Sequence, residues 1–427
     1  MKQFLPVKGM KDFLQDEANI LLSMIETIRK IFEKYGFVPL ITPALESFEL
    51  LSAKGGLGEA VKDEIYYFKD KSEREVGLRF DLTMPLARII SNNLNLPMPF
   101  KRYAIDRAWR YDNPQAMRYR EFWQADIDII GCKSLNADIE CLCAVIEVFE
   151  TFQIDDFKIK VNNRKVIQNI LKNLGVEEEN LDKVLKIIDK KDKIGIDAFK
   201  KEIENISEKI NINKIIEILT MKSSFYEKIK YIENEFQNVD GLEEIKELFL
   251  LAKDFSILDR LELDFSIVRG LDYYTSLVYE ISVSDKNVSI GGGGRYDNLI
   301  KNIGGPDYPA TGISIGLSRL FSLLLERGLI KKSAPAKIFV AIVNENIKSQ
   351  AIKIINQLRA AGIRTDWDIS ERKLSKQIEY ASTLGIPYVA IIGENELKLS
   401  SIKVRNMQSG EEILMPLGSF IAWARQN

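Results

Sequence analysis

Six arginines, a row of carboxylates and a run of glycines are the residues of this chain with the most chemistry to offer. Residues 268–275 read VRGLDYYT and set Arg269, Asp272, Tyr273, Tyr274 and Thr275 between two apolar, strand-like runs, DFSIV before and LVYEI after. Shortly beyond comes IGGGGRYDNL, in which Gly291 to Gly294 precede Arg295, Tyr296 and Asp297. Arg110 ends a predicted strand, Arg118 and Arg120 lie beyond the following loop, and Arg319 stands near the start of a predicted helix. Guanidinium groups clamp phosphate bidentately and stay charged at any working pH. The glycine cluster reads as backbone thinned to let a ligand lie close. Together these residues suit a polyphosphate substrate. In phosphoryl or nucleotidyl transfer, positioning and charge stabilisation supply most of the catalysis, and an anionic nucleophile needs no protein base.

That last point matters because the chain contains no histidine among its 427 residues. A Ser-His-Asp triad, a Cys-His pair, an HExxH metal site and an imidazole base are all excluded. There is no GxxxxGK[ST] segment, and the glycine cluster lacks the strand–turn–helix setting of a dinucleotide fingerprint. Cys132, Cys141 and Cys143 have neither disulfide-frame nor zinc spacing, and no protein metal site is expected. With 60 basic and 62 acidic residues the net charge is −2, a balance that neither requires nor excludes nucleic acid. Hydrophobic content of 46% and charged content of 29% fit a soluble globular chain of two or three domains. No apolar run is long enough to span a membrane and the first residues lack a signal peptide's apolar core, so a cytoplasmic location is expected.

The elements that must position these residues are legible in outline. Leu21, Ile25, Ile28 and Phe32 recur at helical spacing until Gly36. EVGLRFDLT predicts a strand, with Thr83 as cap of a following helix and Pro85 in its first turn. Residues 102–131 predict two strands joined by a loop. In the second, Phe122, Gln124, Asp126 and Asp128 share one face, and Trp123, Ala125, Ile127 and Ile129 the other. Carboxylates aligned on a strand face are costly to bury unpaired, so that face is either wet or matched to a cationic or hydrogen-bonding ligand. Residues 165–255, rich in Lys, Glu, Ile, Asn and Leu, predict a helical insertion. After a linker at 331–337, strands and helices alternate in a small α/β domain whose strands look parallel.

Read as a set, these segments resemble the histidyl-tRNA synthetases, of the class II aminoacyl-tRNA synthetases, and look most like the archaeal and eukaryotic branch. The resemblance covers nearly the whole length. KGMKDFL is similar to the family's N-terminal signature, YGFVPLITPALE to the first class II motif, and LRFDLTMPLAR to the segment that binds the substrate α-amino group. WRYDNPQAMRYREFWQADIDIIG is similar to the second motif, VRGLDYYT and GGGGRYDNL to the two histidine signatures, and GISIGLSRL to the third motif. The stretch GENELKLSSIKVRNMQSGEE is similar to the anticodon-binding domain.

The resemblance implies a fold: an α/β and α+β multidomain chain with an antiparallel-sheet catalytic core, a helical insertion and a C-terminal α/β anticodon-binding domain. It implies boundaries at 1–164 and 256–328 for the two parts of the core, 165–255 for the insertion and 329–427 for the anticodon domain. It implies that ATP and Mg²⁺ activate L-histidine as the adenylate, that tRNA(His) accepts the histidyl group, and that the enzyme is a homodimer. Arg110 and Arg269 are then the catalytic residues, stabilising the α-phosphate and the substrate carboxylate. Arg118 and Arg319 hold the γ-phosphate, Phe122 stacks on adenine and Asp112 fixes that base. Asp81, Thr83 and Gln124 bind the α-amino group, while Asp128 and Tyr274, with Tyr273 beside them, bind the imidazole. The loop around Gln115 and the basic residues Arg359, Arg364, Arg372 and Lys373 are candidate tRNA contacts; the plain alternative for those four is solvated charge.

Two departures stand out: Asp128 replaces a glutamate of many bacterial members, and Ser318 replaces an acidic residue before the arginine of the third motif. Three other readings compete. The histidine-sensing regulatory subunit of ATP phosphoribosyltransferase shares the core but lacks the anticodon domain. A prolyl or glycyl synthetase would lack RGLDYYT. An uncharacterised α/β scaffold leaves the aligned polar residues unexplained.

Overall fold

The computed structural model describes residues 4–53, 64–111, 113–114, 117–268, 273–284, 286, 289–330 and 334–426. The chain divides into two compact units, Met1–Lys11 with Ile25–Leu329 and Asp12–Met24 with Ile330–Asn427.

In the first unit, strands β1 (Val38–Pro39), β2 (Leu45–Ser47), β3 (Tyr67–Lys69) and β4 (Glu75–Leu78) come early. A long hairpin follows, β5 (Phe100–Trp109) and β6 (Glu121–Ile130). Then come β7 (Phe157–Asn163), β8 (Leu261–Leu263), β9 (Leu277–Val283), β10 (Gly291–Arg295) and β11 (Ala310–Ile315). Eight of them build one sheet in the order β1-β5-β6-β11-β10-β9-β7-β8, antiparallel throughout except at its two outermost pairs. Strands β2, β4 and β3 form a small antiparallel sheet.

The period-2 pattern of β6 sorts its two faces. Ala125, Ile127 and Ile129 are buried as a core face, and the apolar helix Asn136–Thr151 packs against β6 and β11. Gln124, Asp126 and Asp128 point the other way and are buried as well. That second face is therefore not an open surface. One cation that answers it belongs to the protein: Arg102, directly opposite Asp128 in the β5–β6 register.

A second apolar cluster gathers the helix Thr83–Asn92 (Met84, Ala87, Ile90) with Tyr274, Val278, Tyr296 and Leu299. This cluster brings Asp81, ahead of the helix, into the same unit as the end of the VRGLDYYT segment. Thr83 is not the helix cap. The carboxylate of Asp81 accepts from the backbone N–H groups of Thr83 and Met84, at 3.2 and 3.0 Å, because a carboxylate one residue before the cap position reaches the same orphan donors.

DFSIV is not a strand either. The strand β8 ends at Leu263, and Asp264 accepts from the Ser266 N–H and hydroxyl at 2.9 and 2.6 Å, closing an Asx-type turn. Residues 164–254 are helical, from Arg164–Asn173 to Leu242–Asp254, and Ser224 and Glu227 form a reciprocal capping box at the start of one of the helices.

The second unit carries β12 (Ile338–Ile342), β13 (Thr365–Trp367), β14 (Tyr388–Ile392), β15 (Ser401–Asn406) and β16 (Glu412–Pro416) in the order β13-β12-β14-β15-β16. Only β13, β12 and β14 are parallel; β15 and β16 turn back antiparallel, so the sheet is mixed. Helices Lys348–Ala360 and Leu417–Gln426 share one core and helix Leu374–Thr383 another. Arg359 and Arg364 donate to the carbonyls of Thr365 and Ala334. Arg372 pairs with Asp368 at 3.2 Å and lies 3.9 Å from the Tyr380 ring centre, and Lys373 is the cap residue of helix Leu374–Thr383.

Candidate active site

A cavity of about 460 Å³ opens over the polar face of β6. Ten of the twelve expected site residues line it: Asp81, Thr83, Arg110, Arg118, Phe122, Gln124, Asp128, Tyr273, Tyr274 and Arg319. Arg269 and Asp112 lie outside the described residues, as do Gln115 and Asp272.

The strand register explains the assembly. Asp128 stands between Arg102 on β5 and Gly312 on β11. Asp126 stands between Ala104 on β5 and Ser314 on β11, and the row continues through Gly292 on β10 to Glu280 on β9. Gly312 has to be glycine, since a Cβ there would run into the Asp128 carboxylate. Gly293 is required by the sheet itself, because its Cβ would collide with the Gly312 carbonyl of the neighbouring strand. The glycine cluster thus serves close strand packing as well as the cavity wall, where Gly291 and Gly292 lie.

At one end of the cavity, the Arg110 Nε donates to the Phe80 carbonyl at 3.0 Å, and its guanidinium carbon lies 5.2 Å from the Phe122 ring centre. Arg319 Nη1 donates to the Ser289 carbonyl at 2.6 Å. The Ser318 hydroxyl accepts the Trp123 N–H at 2.9 Å and so ties the helix Leu317–Glu326 to β6. In the middle, Gln124 Nε2 donates to Ser314 Oγ at 2.7 Å.

At the far end, Arg102 Nη2 lies 2.6 Å from Asp128 Oδ2 and donates to the Leu82 carbonyl at 3.0 Å. The Tyr296 hydroxyl donates to Asp128 Oδ1. Tyr273 packs against Tyr274 and Tyr296, with ring centres 4.7 and 5.8 Å apart. Behind this wall Arg295 is clamped by Asp138, which also accepts from Tyr279 and Thr311.

Burial pushes the Asp128 carboxyl up, against the pull of Arg102 and of the Tyr296 hydroxyl. Burial pushes Asp126 up to about 7; Arg102 pulls it down, Asp128 pushes it further up, Ser314 lowers it and Asp81 raises it. The Tyr273 and Tyr296 hydroxyls are held well above the ordinary tyrosine range, chiefly by burial, so both are neutral donors.

Arg102, Tyr296, Ser314 and Asp126 are among the residues in and around the cavity that the sequence did not assign. Arg102 is an isolated cation within a strand, and only the hairpin register gives it a partner. No cluster of three metal-binding side chains occurs among the described residues. Magnesium does not need one, because it is held by one or two carboxylates together with substrate phosphates and water. Glu280 and Glu64 are cavity carboxylates not expected to bind the amino acid.

The cavity can hold an elongated ligand with phosphates at the arginine end and a small, hydrogen-bonding ring at the tyrosine–carboxylate end. Comparison with known proteins bears on the chain as a whole. The family model for histidyl-tRNA synthetase matches residues 9–320, and that for an anticodon binding domain matches residues 337–427. Histidine–tRNA ligase of Pyrococcus furiosus is 37% identical over 414 residues, 95% of each chain. The crystal structure of histidyl-tRNA synthetase from Nostoc superposes with a TM-score of 0.87 at 31% identity, over 100% of both chains. An ATP phosphoribosyltransferase regulatory subunit/histidyl-tRNA synthetase from Bacillus halodurans shares the fold, with a TM-score of 0.75 at 19% identity over 90% of this chain and 97% of its own. By motif order, full-length similarity and the architecture around the cavity, the chain belongs to the histidyl-tRNA synthetase family.

Proposed function

We propose that this chain activates L-histidine with ATP in the cavity over β6, then transfers the histidyl group to the 3′ end of tRNA(His). The observation that carries the reading is the order of side chains along one strand face. Phe122, Gln124, Asp126 and Asp128 succeed one another from the arginine end to the tyrosine end. An adenylate laid along them sets adenine by Phe122, the amino acid backbone by Gln124 and the imidazole by Asp128.

In the first step the histidine carboxylate oxygen attacks the α-phosphorus, a P–O bond forms, and the bond to pyrophosphate breaks. Arg110 and Arg269 stabilise the charge gathering on the α-phosphate, while Arg118 and Arg319 hold the γ-phosphate. Phe122 stacks on adenine, with Asp112 fixing its edge. Mg²⁺ would be held by the ATP phosphates together with a cavity carboxylate, Glu280 or Glu64, and would share the phosphate charge. Asp81, Thr83 and Gln124 hold the α-amino group; Asp128 and Tyr274 hold the imidazole, beside Tyr273. In the second step the terminal ribose hydroxyl attacks the carbonyl carbon and AMP leaves. The adenylate's phosphate oxygen takes the hydroxyl proton, so no protein base is needed.

Selectivity follows from polar pairing. A site built to hydrogen-bond both imidazole nitrogens strands its own groups with a wrong amino acid, a penalty of roughly 10⁴-fold or more. The domain division at 164, 255 and 328, a homodimeric assembly and a cytoplasmic location complete the reading. No helix among the described residues is long and apolar enough to cross a membrane. The test is amino-acid-dependent ATP–pyrophosphate exchange: histidine alone supports it, and EDTA abolishes it. No exchange with any amino acid favours the regulatory-subunit reading.

A further inference from the structure

We propose that Asp126 is a binding residue for the substrate's α-ammonium group, alongside the Asp81, Thr83 and Gln124 set; the inference rests on the cavity being the histidine pocket. Asp126 is 2% exposed and lines the cavity, yet its Oδ1 has no hydrogen-bond partner. The neighbouring same-face residue, Gln124, is 7% exposed and its Oε1 is likewise without a partner. One hydroxyl joins the two side chains. Ser314 Oγ accepts from Gln124 Nε2 at 2.7 Å and hydrogen-bonds to the Asp126 carboxylate. With one amide N–H and the hydroxyl proton committed, these residues are left with two unpaired acceptors, Asp126 Oδ1 and Gln124 Oε1, beside the second amide N–H of Gln124.

Buried acceptors left unpaired are rare and costly, so the pair calls for a donor. Their backbones stand about 7 Å apart, two positions along a strand, and the Ser314 hydroxyl shared by both draws the side-chain ends closer than that. A neutral imidazole ring carries a single N–H. An ammonium group carries three, which diverge and can reach both oxygens at once. Charge points the same way. Among the described residues, the charged groups that act most on Asp126 are Arg102, Asp128 and Asp81, one cation and two carboxyl groups before Asp126 itself is counted. A monocation is the charge this end of the cavity lacks. Asp128 differs in its charge balance: its Oδ2, though without a hydrogen bond of good geometry, lies 2.6 Å from the Arg102 guanidinium, and its Oδ1 accepts from Tyr296.

The experiment compares wild type with Asp126→Asn, whose amide fits the space of a carboxyl group. Dissociation constants are measured for three probes: L-histidine, L-histidinol, which keeps the ammonium and lacks the carboxylate, and 3-(imidazol-4-yl)propionate, which lacks the ammonium. Loss of a charge-assisted hydrogen bond predicts binding weaker by about 10- to 100-fold for the first two. The third should be unchanged within about 2-fold. An equal loss for all three probes makes Asp126 a partner of the imidazole or a scaffold residue and overturns the proposal, as does no loss for any. Ser314→Ala, which removes the bridge, should shift the same two probes in the same direction should Asp126→Asn fail to fold; no shift there also overturns it. Wild type that fails to bind L-histidine overturns the reading of the cavity instead, a result distinct from either.

Discussion

Arg102 and Asp128 face each other across the β5–β6 ladder, with guanidinium and carboxylate 2.6 Å apart and both side chains buried. The same guanidinium donates to the Leu82 carbonyl, just ahead of the helix that follows Asp81. One buried cation therefore ties the carboxylate expected at the imidazole to the segment expected at the α-amino group. The two ends of the amino acid would be read by parts that hold each other in place.

Removing that cation should be expensive. Arg102→Ala leaves Asp128 buried without its counter-charge, a loss of roughly 3–5 kcal/mol of folding stability. Urea denaturation measures it. Adding Asp128→Asn removes the stranded charge and should recover part of the loss while abolishing histidine-dependent exchange.

Tyr296→Phe deletes one hydroxyl and leaves the ring in its packing against Tyr273. The Asp128 oxygen that accepted from it loses a charge-assisted hydrogen bond worth about 1.5–3 kcal/mol. In steady-state exchange kinetics the KM for histidine should rise about 10-fold or more, with the KM for ATP unchanged.

Arg110→Ala should slow adenylation by about 10² to 10³, the usual effect of losing one preorganised charge stabiliser. Arg319→Ala should act mainly on the KM for ATP, since its guanidinium sits at the Ser289 side of the cavity, away from the carboxylates of β6. Single-turnover adenylate formation separates the two effects.

Asp126 gives stability a pH slope whose sign is fixed. Its folded value of about 7 stands above the ordinary 3.8, so between them the folded chain keeps a proton that the unfolded chain has released. This contribution is fully present below the ordinary value and is lost as pH rises toward about 7. Asp128 and Asp138 are shifted in the same direction, so the difference between wild type and Asp126→Asn isolates the one group. That difference, measured by urea denaturation, should favour wild type most at low pH and shrink as pH rises through neutrality.

Much of the site could be read before the fold was known, and the misses share a cause. Alternation along β6 set Gln124, Asp126 and Asp128 on one face, because a strand's period is a local property. Arg102, by contrast, is an ordinary arginine until the register sets it opposite Asp128. Tyr296 lay inside a quoted motif without a role, since its partner is on a strand that only the sheet brings near. The turn at Asp264 passed for a strand because Phe265 and Ile267 alternate with polar residues, and the stop comes from the hydrogen bonds that Ser266 donates to the Asp264 carboxylate. In the second unit, the parallel β12 and β14 were legible as apolar runs. The strand β16 was not, because it is largely exposed and carries little pattern.

Gly312 carries a consequence for how such a pocket can change over generations. Any side chain there would meet the Asp128 carboxylate and, 2.7 Å away, the Ile127 carbonyl. The position is therefore closed to drift twice over, by a side chain and by the backbone of the neighbouring strand. A lineage that came to read a different amino acid could alter residue 128, yet the Ile127 carbonyl would still hold residue 312 to glycine. Experiments that diversify the pocket will meet 312 as a dead end whatever stands at 128, and the variation that the pocket tolerates has to come from its other walls.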